Sequence, residues 1–328
     1  MTEYEYRPYR PGDEERILET HNLVFAEGNS AFVPRTMSEW EWAYTRNPAG
    51  VRILLAVQGD FVAAHYAGQP YRVRLGEKDC SFGQIVDSYV HPAHRSALKR
   101  PGLYVKTAQR FFERFLSPEW DTGYWGLAIP ETWRMGRRFL NYQLVRRQSF
   151  LVRDVRPGGP APLQAREIDS FDARAAELFS RCSKGWRYAV VRDARYLNWR
   201  FVEHPRHTYA RFGVDAPGGA LAGYAVFRRA EWPTPGAGLL VDWLVPPGEV
   251  EVGATLREAV LERARREGAT SLVAILPDWS PWCARFAEWG WISRPSDYVL
   301  AAQSCHPWLD MHFMRHGWWY QLAEIDLA

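Results

Sequence analysis

A short basic segment in the first half of the chain has the residue types of an anion site. It runs His91-Pro-Ala-His-Arg-Ser-Ala-Leu-Lys-Arg-Pro-Gly-Leu-Tyr104, with Arg95, Lys99 and Arg100 just ahead of a helix predicted to begin at Leu103. Unpaired backbone N–H groups at a helix start bind anions, and Gly102 lets the backbone approach a phosphate. Residues 88–156 hold 13 basic against 5 acidic residues. We therefore expect a ligand that carries a pyrophosphate here.

A carboxylate just upstream is the first candidate for proton transfer. Asp87 lies in the middle of an apolar strand predicted over Phe82–Val90. Burial would raise its pKa towards the working pH and make it a general base, whereas the alternative is a structural carboxylate bonded to backbone or to an arginine. His91 and His94 are further candidate bases. No metal site is expected, because His91-x-x-His94 and His204-x-x-His207 lack a third convergent ligand in the sequence.

The sequence segments that must position these residues occur twice. Trp42–Pro48 returns as Trp199–Pro205 at a shift of 157 residues, and Val86–Pro92 returns as Val241–Pro247 at a shift of 155. Gly126–Pro130 returns as Val273–Pro277, in the same order along the chain. This pattern predicts two copies of one fold. We expect one domain over 1–156, a Pro/Gly-rich linker over 157–162 and a second domain over 163–328.

The two copies differ where the anion would bind. The second copy has Glu249 and Glu251 where the first has its basic loop, so a polyanion would be repelled there. Asp242 repeats Asp87 in that copy, which favours the structural alternative for this carboxylate. We expect a degenerate second copy with a structural or acceptor-binding role, and chemistry in the first copy.

Hydrophobic periodicity predicts the elements of the first copy, and the second copy reads alike. The class is α/β, with a mixed central sheet and helices on both faces. The predicted strands are Tyr4–Tyr9, Arg52–Val57, Phe61–Gly68, Phe82–Val90, Tyr124–Ile129 and Val145–Val152, and the predicted helices are Asp13–Ala26, Ser38–Thr45, Leu103–Phe115 and Glu131–Leu140.

Composition excludes several classes of protein. The 328 residues are 47% hydrophobic and 24% charged, with a net charge of +3, which is unlike disordered, collagen-like or membrane-bundle sequences. The four cysteines are far apart in the sequence and are expected to be reduced thiols. We find neither a membrane-spanning run nor a signal peptide, and we expect a cytoplasmic location.

The anion segment resembles the signature of the GNAT superfamily of acyl-CoA-dependent N-acyltransferases. Val90–Arg95 matches the start of that motif and Gly102–Tyr104 matches its end, whereas about four inserted residues and a missing first glycine separate this chain from the pattern. The resemblance implies two tandem GNAT-like domains and acetyl-CoA or another acyl-CoA as co-substrate, with no metal. The residues it assigns to donor binding are Tyr89, Val90, Arg95, Lys99, Arg100, Gly102, Leu103 and Tyr104.

The resemblance also implies catalytic roles. Direct attack of an amine on a thioester needs a base, an oxyanion donor and an acid for the leaving thiolate. The oxyanion donor in such proteins is a backbone N–H, here near Tyr89 or Val90. The tyrosine that commonly serves as acid aligns with Phe139, so Tyr142 and Tyr104 are its substitutes, and water is a further proton source.

These observations predict an acyltransferase that moves an acetyl or longer acyl group from acyl-CoA, or from an acidic acyl carrier protein, to an amine. The acceptor is expected to be a small molecule or a peptide, with no membrane and no nucleic acid as partner. Two alternatives stay open. One is a non-catalytic protein that binds acyl-CoA or another anion. The other resembles tandem GNAT transferases that use aminoacyl-tRNA, in which the basic cluster around Arg137 and Arg138 would contact RNA.

Overall fold

The chain forms two compact units in a computed structural model that describes residues 3–95, 101–156, 158–306 and 309–325. Unit 1 comprises Met1–Arg72, Cys80–Arg146 and Val299–Met311. Unit 2 comprises Val73–Asp79, Arg147–Tyr298 and His312–Ala328.

Helices and strands alternate along most of the chain. The first half contains β1 (Glu5–Pro8), α1 (Glu14–Ala26), α2 (Met37–Ala43), β2 (Arg52–Gln58), β3 (Phe61–Leu75), β4 (Lys78–Val90), α3 (Leu103–Phe115), β5 (Gly123–Ala128), α4 (Pro130–Phe139) and β6 (Gln143–Asp154). The second half contains β7 (Arg166–Glu167), α5 (Ala173–Cys182), β8 (Tyr188–Val190), α6 (Ala194–Phe201), β9 (Ala210–Asp215), β10 (Leu221–Arg229), β11 (Ala237–Leu244), α7 (Val250–Arg266), β12 (Ser271–Ala274), α8 (Pro281–Glu288), β13 (Ile292–Ser304), α9 (Met311–Gly317) and β14 (Trp318–Trp319).

Unit 1 is a mixed sheet with helices on both faces, as predicted. Its strand order is β1-β2-β3-β4-β5, followed by the end of β13. Side chains alternate between the two faces of a strand. Accordingly Tyr66 of β3 packs with Phe111 of α3, at 5.1 Å between ring centroids, whereas the neighbouring His65 faces Tyr44 at the end of α2, at 6.2 Å. The mixed α/β class is confirmed.

The first-copy elements agree with the periodicity within a few residues at their ends, apart from a longer β3. Local signals account for several ends. Thr36 and Glu39 form a reciprocal capping box at the start of α2, and Pro130 occupies the first turn of α4. On α3 the apolar positions Val105, Ala108 and Phe111 are buried against the sheet.

Unit 2 is likewise built on paired β-strands. The end of β6 pairs with β12, and the strand order continues through β11, β10 and β9 to β7. The β10–β11 pair is antiparallel, whereas β11–β12 is parallel, as β4–β5 is in unit 1. Strand β8 pairs with Val73–Leu75 and with β14.

The main difference from the arrangement expected from the sequence is which strands pair with β5 and with β12. The strand predicted over Val145–Val152 forms within β6, but its Leu151–Asp154 end pairs with β12 in unit 2. In unit 1 the antiparallel neighbour of β5 is Val299–Ser304, from β13. The units therefore differ from a division into 1–156 and 163–328, because each one is completed by a strand from the other half of the sequence.

Among the residues that the structure describes, no helix combines the length and the apolar character needed to cross a membrane.

Candidate active site

Strands β4 and β5 diverge next to the predicted anion segment. Their parallel pairing consists of Gly83 with Tyr124 and Gln84 with Trp125. Beyond those pairs β5 continues alongside β13, with Gly126 opposite Ala301 and Ala128 opposite Val299. The part of β4 from Ile85 to Val90 therefore follows a different course from Gly126–Ala128, and we call the opening between these two segments the slot.

Small residues stand at the slot on both strands. Ser88 of β4 is half-buried. At Gly126 of β5, an ideal Cβ atom would find no heavy atom of the described residues within 4 Å. By contrast, a Cβ at Gly83, where the strands still pair, would lie 2.5 Å from the Tyr124 ring. The strands are thus tightly packed where they pair and have space where they diverge.

Helix α3 begins beside the end of β4. Val90, Leu103 and Tyr104 belong to one apolar cluster, so the structure brings these three predicted residues together. Gly102 is the N-cap of α3, with no side-chain cap, and the first helical bond runs from Lys106 N–H to the Gly102 carbonyl. The backbone N–H groups of the first turn therefore have no partner within the helix, which is the arrangement that binds phosphate.

Of the three basic residues predicted to bind the anion, the structure describes Arg95. Arg95 donates from Nε to the Val90 carbonyl at 3.1 Å and pairs with Glu27 at 2.5 Å. The Arg95 side chain is 44% exposed, so a ligand can still reach it. Lys99 and Arg100 lie outside the described residues.

Asp87 is the meeting point of several side chains on the α1–α2 face of the sheet. Arg35 contacts both carboxylate oxygens, with its second N–H group 3.1 Å from Oδ1. The Tyr44 hydroxyl donates to Oδ2 at 2.5 Å, and His21 Nε2 lies 3.5 Å from Oδ1. The carbonyl oxygen of Asp87 accepts from His65 Nδ1 at 2.7 Å.

The expected rise in the pKa of Asp87 is wrong in direction. Burial does raise the pKa of this carboxyl, but the Arg35 charge and the contacts with His21 and Arg35 outweigh it and hold the pKa well below its usual range. Burial lowers the pKa of His65 to about 4, so its imidazole is neutral, and the bond to the Asp87 carbonyl places the proton on Nδ1. The site on this face thus contains an ionised carboxylate and a neutral imidazole.

The sequence analysis missed Arg35, Tyr44, His21 and His65. One signal for Arg35 was present, because Arg192 lies 157 residues further on, at the shift that relates Trp42 to Trp199. In unit 2 Arg192 pairs with Asp242 at 3.1 Å.

Tyrosine hydroxyls form a chain on the opposite face of the sheet. The Tyr142 and Tyr66 hydroxyls are 2.7 Å apart, and both side chains are buried. The Tyr104 hydroxyl interacts with Ser88 and Tyr66, and burial raises the pKa of Tyr104 to about 12. Burial likewise raises the pKa of Tyr142 far above the ordinary tyrosine value. The Tyr104 hydroxyl thus reaches Ser88 at the slot, and Tyr142 is linked to Tyr104 through Tyr66.

The remaining predicted residues have local structural contacts. His91 Nδ1 accepts from Ala93 N–H and caps the short 3₁₀ turn Pro92–His94. The Tyr89 side chain points to the α1 side of the sheet, where its hydroxyl donates to the Ile17 carbonyl at 2.9 Å. Within the described ranges there is no group of three or more His, Cys, Asp or Glu residues that could hold a metal ion.

In unit 2 the end of β11 corresponds to the end of β4 in unit 1, and side chains bond to its main chain. Trp282 of α8 donates its indole N–H to the Val245 carbonyl at 2.7 Å, and Gln321 donates to the Trp243 carbonyl at 2.8 Å. Trp243 is fully buried at the position equivalent to Ser88, and Val273 is buried at the position equivalent to Gly126. The second copy thus has large side chains where the first has small ones.

Comparison with known proteins finds one matching domain family and several solved structures with a similar fold. Residues 5–105 match the acetyltransferase (GNAT) domain family. No curated protein matches the sequence. Among solved structures, a probable N-acyltransferase from Enterococcus faecalis is similar with a TM-score of 0.64 at 10% identity, over 92% of this chain and 72% of that one.

Two further structures share the fold. A tandem GNAT protein from the clavulanic acid biosynthesis pathway aligns with a TM-score of 0.57 and 16% identity, over 93% of this chain and 99% of that one. N-myristoyltransferase of Saccharomyces cerevisiae, solved with bound myristoyl-CoA, aligns with a TM-score of 0.57 and 13% identity, over 92% and 78%. Residues 5–105 therefore match the GNAT acetyltransferase family, and the chain shares its fold with N-acyltransferases that include a tandem GNAT protein.

Proposed function

We propose that this protein transfers an acyl group from an acyl-CoA thioester to an amine, and that the slot of unit 1 holds the donor. The observation that carries the proposal is the divergence of β4 and β5 after Gln84 and Trp125, with Ser88 and Gly126 at the opening. A pantetheine arm is a narrow chain of amides, so it fits between strands whose facing edges are unpaired. The uncapped start of α3 lies beside the same end of β4, at the place where a pyrophosphate would follow.

The main chain of β4 supplies the donor for the oxyanion in this proposal. His91 N–H bonds to the Ala63 carbonyl on β3 at 2.9 Å. Successive N–H groups of an extended strand point to opposite edges, so the Val90 N–H points away from β3 and towards the slot. A preorganised backbone donor at the developing oxyanion contributes about 3–4 kcal/mol in other acyl-transfer enzymes. Of the two expected positions, Tyr89 and Val90, the bond made by His91 favours Val90.

The phosphates would contact the N–H groups of Leu103 and Tyr104 in the first turn of α3. Arg95, whose side chain is partly exposed, would add a positive charge. Lys99 and Arg100 stay proposed phosphate contacts, since they belong to the same basic segment of the sequence.

The chemistry is a direct transfer. The amine nitrogen forms a bond to the thioester carbonyl carbon, the C–S bond breaks, the amine loses one proton and the CoA thiolate gains one. The pKa of Tyr104 is about 12, above the value of about 8.5 for a cysteine thiol, so full proton transfer from Tyr104 to a thiolate is uphill. We assign Tyr104 the role of hydrogen-bond donor to the thiolate, with water as the proton source.

The proton acceptor for the amine is also assigned to water. His91 uses Nδ1 to cap the 3₁₀ turn, and the Asp87 carboxylate is bound by Arg35 and Tyr44. A carboxylate with a lowered pKa is a weak base, so Asp87 has little driving force to take the proton directly.

The second unit has no donor site in this proposal. Trp282 and Gln321 bind main-chain carbonyls at the end of β11, and Trp243 stands where the first unit has Ser88. Its role is then structural or acceptor-binding.

The test is free-thiol release from a panel of acyl-CoA thioesters with a mixture of amines, together with direct measurement of CoA binding. A panel member loaded on an acidic carrier protein extends the test to that donor. Arg95→Glu should weaken CoA binding, whereas Arg285→Glu, an exposed arginine paired with Glu288 in unit 2, should not. CoA binding without thiol release from any thioester would favour a binding protein, and neither binding nor release would refute the donor site.

A further inference from the structure

Asp87 has an unusual backbone conformation in the middle of a strand. Its φ is +46°, and Asn141 is the other residue besides glycine in the described part of the chain with positive φ. Such a conformation is costly for residues other than glycine, although aspartate and asparagine tolerate it best, and it persists where the surroundings over-determine it. Here Arg35, Tyr44 and His21 bind the carboxylate, and His65 binds the carbonyl. We call these four side chains the clamp.

The position of this bend decides what it controls. Asp87 lies three residues after Gln84, the last residue of β4 paired with β5, and three residues before Val90. The direction that the chain takes at Asp87 therefore sets the place of Ser88 and of the Val90 N–H relative to β5. Without the bend, β4 would be free to continue its pairing with β5 and close the slot.

The equivalent carboxylate in unit 2, Asp242, helps to decide whether Asp87 positions the strand or transfers a proton. There Arg192 pairs with Asp242 at 3.1 Å and Tyr224 donates to the same carboxylate at 2.7 Å, with all three side chains buried. The antiparallel register of β10 and β11 shifts beside Asp242, so the carboxylate again marks an irregularity in its strand. A general base has no task in a copy whose strand end is filled by Trp282, whereas a carboxylate that holds an irregular strand in place does.

We propose that Asp87 is a positioning residue, and that its pairing with Arg35, supported by Tyr44, His21 and His65, holds the bend of β4 that keeps the slot open for the donor. This inference rests on the proposed acyl transfer. The clamp acts through the main chain of Ser88–Val90 and not through contact with the reacting atoms.

The charges around Asp87 fit this role. The groups that face it are Arg35 before α2, Tyr44 at the end of α2, His21 of α1, His65 of β3 and Tyr89 of β4. Together with the hydrogen bonds, the positive charge of Arg35 keeps the carboxylate ionised well below neutral pH. Its ionisation therefore contributes no step to the rate profile around neutral pH.

The experiment compares Asp87→Asn, Arg35→Met and their double variant by kcat, KM for acyl-CoA, and the pH–rate profile. Asparagine tolerates the positive φ but carries no charge. A displacement of reacting groups by about 1 Å costs on the order of 100-fold. We expect kcat/KM to fall about 10- to 100-fold in each single variant, with a double variant no worse than either single one and an unchanged shape of the pH profile.

A catalytic base would behave differently. Asp87→Asn would then lower kcat by about 10²- to 10⁴-fold and remove the acidic limb of the profile, while Arg35→Met would have a much smaller effect. That outcome overturns the positioning role. If the wild-type protein releases no thiol with any donor, the proposed function fails instead, which distinguishes the two failures.

Tyr44→Phe keeps the test decisive if the charge variants do not fold. It removes one hydroxyl from the clamp with almost no change of volume, and it should lower kcat/KM about threefold to tenfold. Tyr224→Phe makes the same change at the Asp242 pair of unit 2 and should leave both kinetic constants unchanged. Equal kinetics for wild type and Tyr44→Phe in a folded protein would overturn the proposal.

Discussion

Substitution of Gly126 tests the location of the donor slot without disturbing the fold. At this position an added Cβ meets no described heavy atom within 4 Å, and the second copy has Val273 there. Gly126→Val and Gly126→Leu should therefore fold as well as the wild type. A strand glycine costs roughly 0.5–1 kcal/mol relative to residues with a side chain, so the melting temperature should stay the same or rise.

The same substitutions should weaken donor binding. If the acyl-CoA chain occupies this space, the new side chain overpacks it, and overpacking costs about 1–3 kcal/mol. At about 1.4 kcal/mol for each factor of ten, KM for acyl-CoA should rise roughly 5- to 150-fold, with leucine causing the larger rise. The assay is free-thiol release at varied acyl-CoA concentration, with melting temperatures measured on the same samples.

A second glycine supplies the matched control. A Cβ at Gly68 would lie 2.5 Å from Tyr124 and 3.1 Å from Phe111, so Gly68→Ala should lower the melting temperature by disturbing the core. A folded Gly126→Leu protein with wild-type KM would refute the reasoning, because the space beside Gly126 would then not hold the donor.

Three further outcomes are expected. Tyr104→Phe should lower kcat about 10- to 100-fold with little change in KM, because a hydrogen bond to a charged group contributes about 1.5–3 kcal/mol; an unchanged kcat in steady-state assays would exclude Tyr104 as donor to the thiolate. The folded pKa of His65 is about 4 against an ordinary value of 6.5, so the contribution of neutral His65 to the free energy of unfolding is complete above pH 6.5. It is lost as the pH falls towards 4, by up to about 3 kcal/mol. Urea unfolding of wild type and His65→Gln at about pH 7 and about pH 4.5 should show that only the wild type loses this contribution. The fragment 1–156 should fail to fold, since it lacks the Val299–Ser304 strand that covers the edge of β5, and a cooperative melting transition of this fragment would contradict that expectation.

Local patterns were sufficient for the elements of the first copy and for the start of α3. The apolar spacing of Val105, Ala108 and Phe111 predicts the buried side of α3, and Gly102 lies at its N-cap as the loop pattern suggested. Periodicity could not reveal the exchange of strands beside β5 and β12. Both Val145–Val152 and the end of β13 read as buried strands, and only pairing with a distant partner distinguishes their places.

The site was harder to predict because its contacts join residues that are far apart in sequence. Asp87 is 52 residues from Arg35 and 43 from Tyr44, and no local pattern connects them. The pKa of Asp87 was expected to rise because burial was considered without a charged partner, and Arg35 reverses the sign. Comparison of the two copies at the 157-residue shift would have supplied that partner, since Arg35 and Arg192 both stand one residue before the N-cap of a helix.

The two copies together indicate which features belong to the fold and which to the chemistry. The arginine–aspartate pair occurs in both, although the end of β11 in the second unit is filled by Trp282 and Gln321. Two of the positions that differ are Ser88 against Trp243 and Gly126 against Val273, small in the first copy and large in the second. In the proposed function, charge at Glu249 is therefore not the only feature that would keep a donor out of the second copy. We expect side-chain volume at Trp243 and Val273 to exclude a donor from the second copy before its phosphates could reach the start of α7.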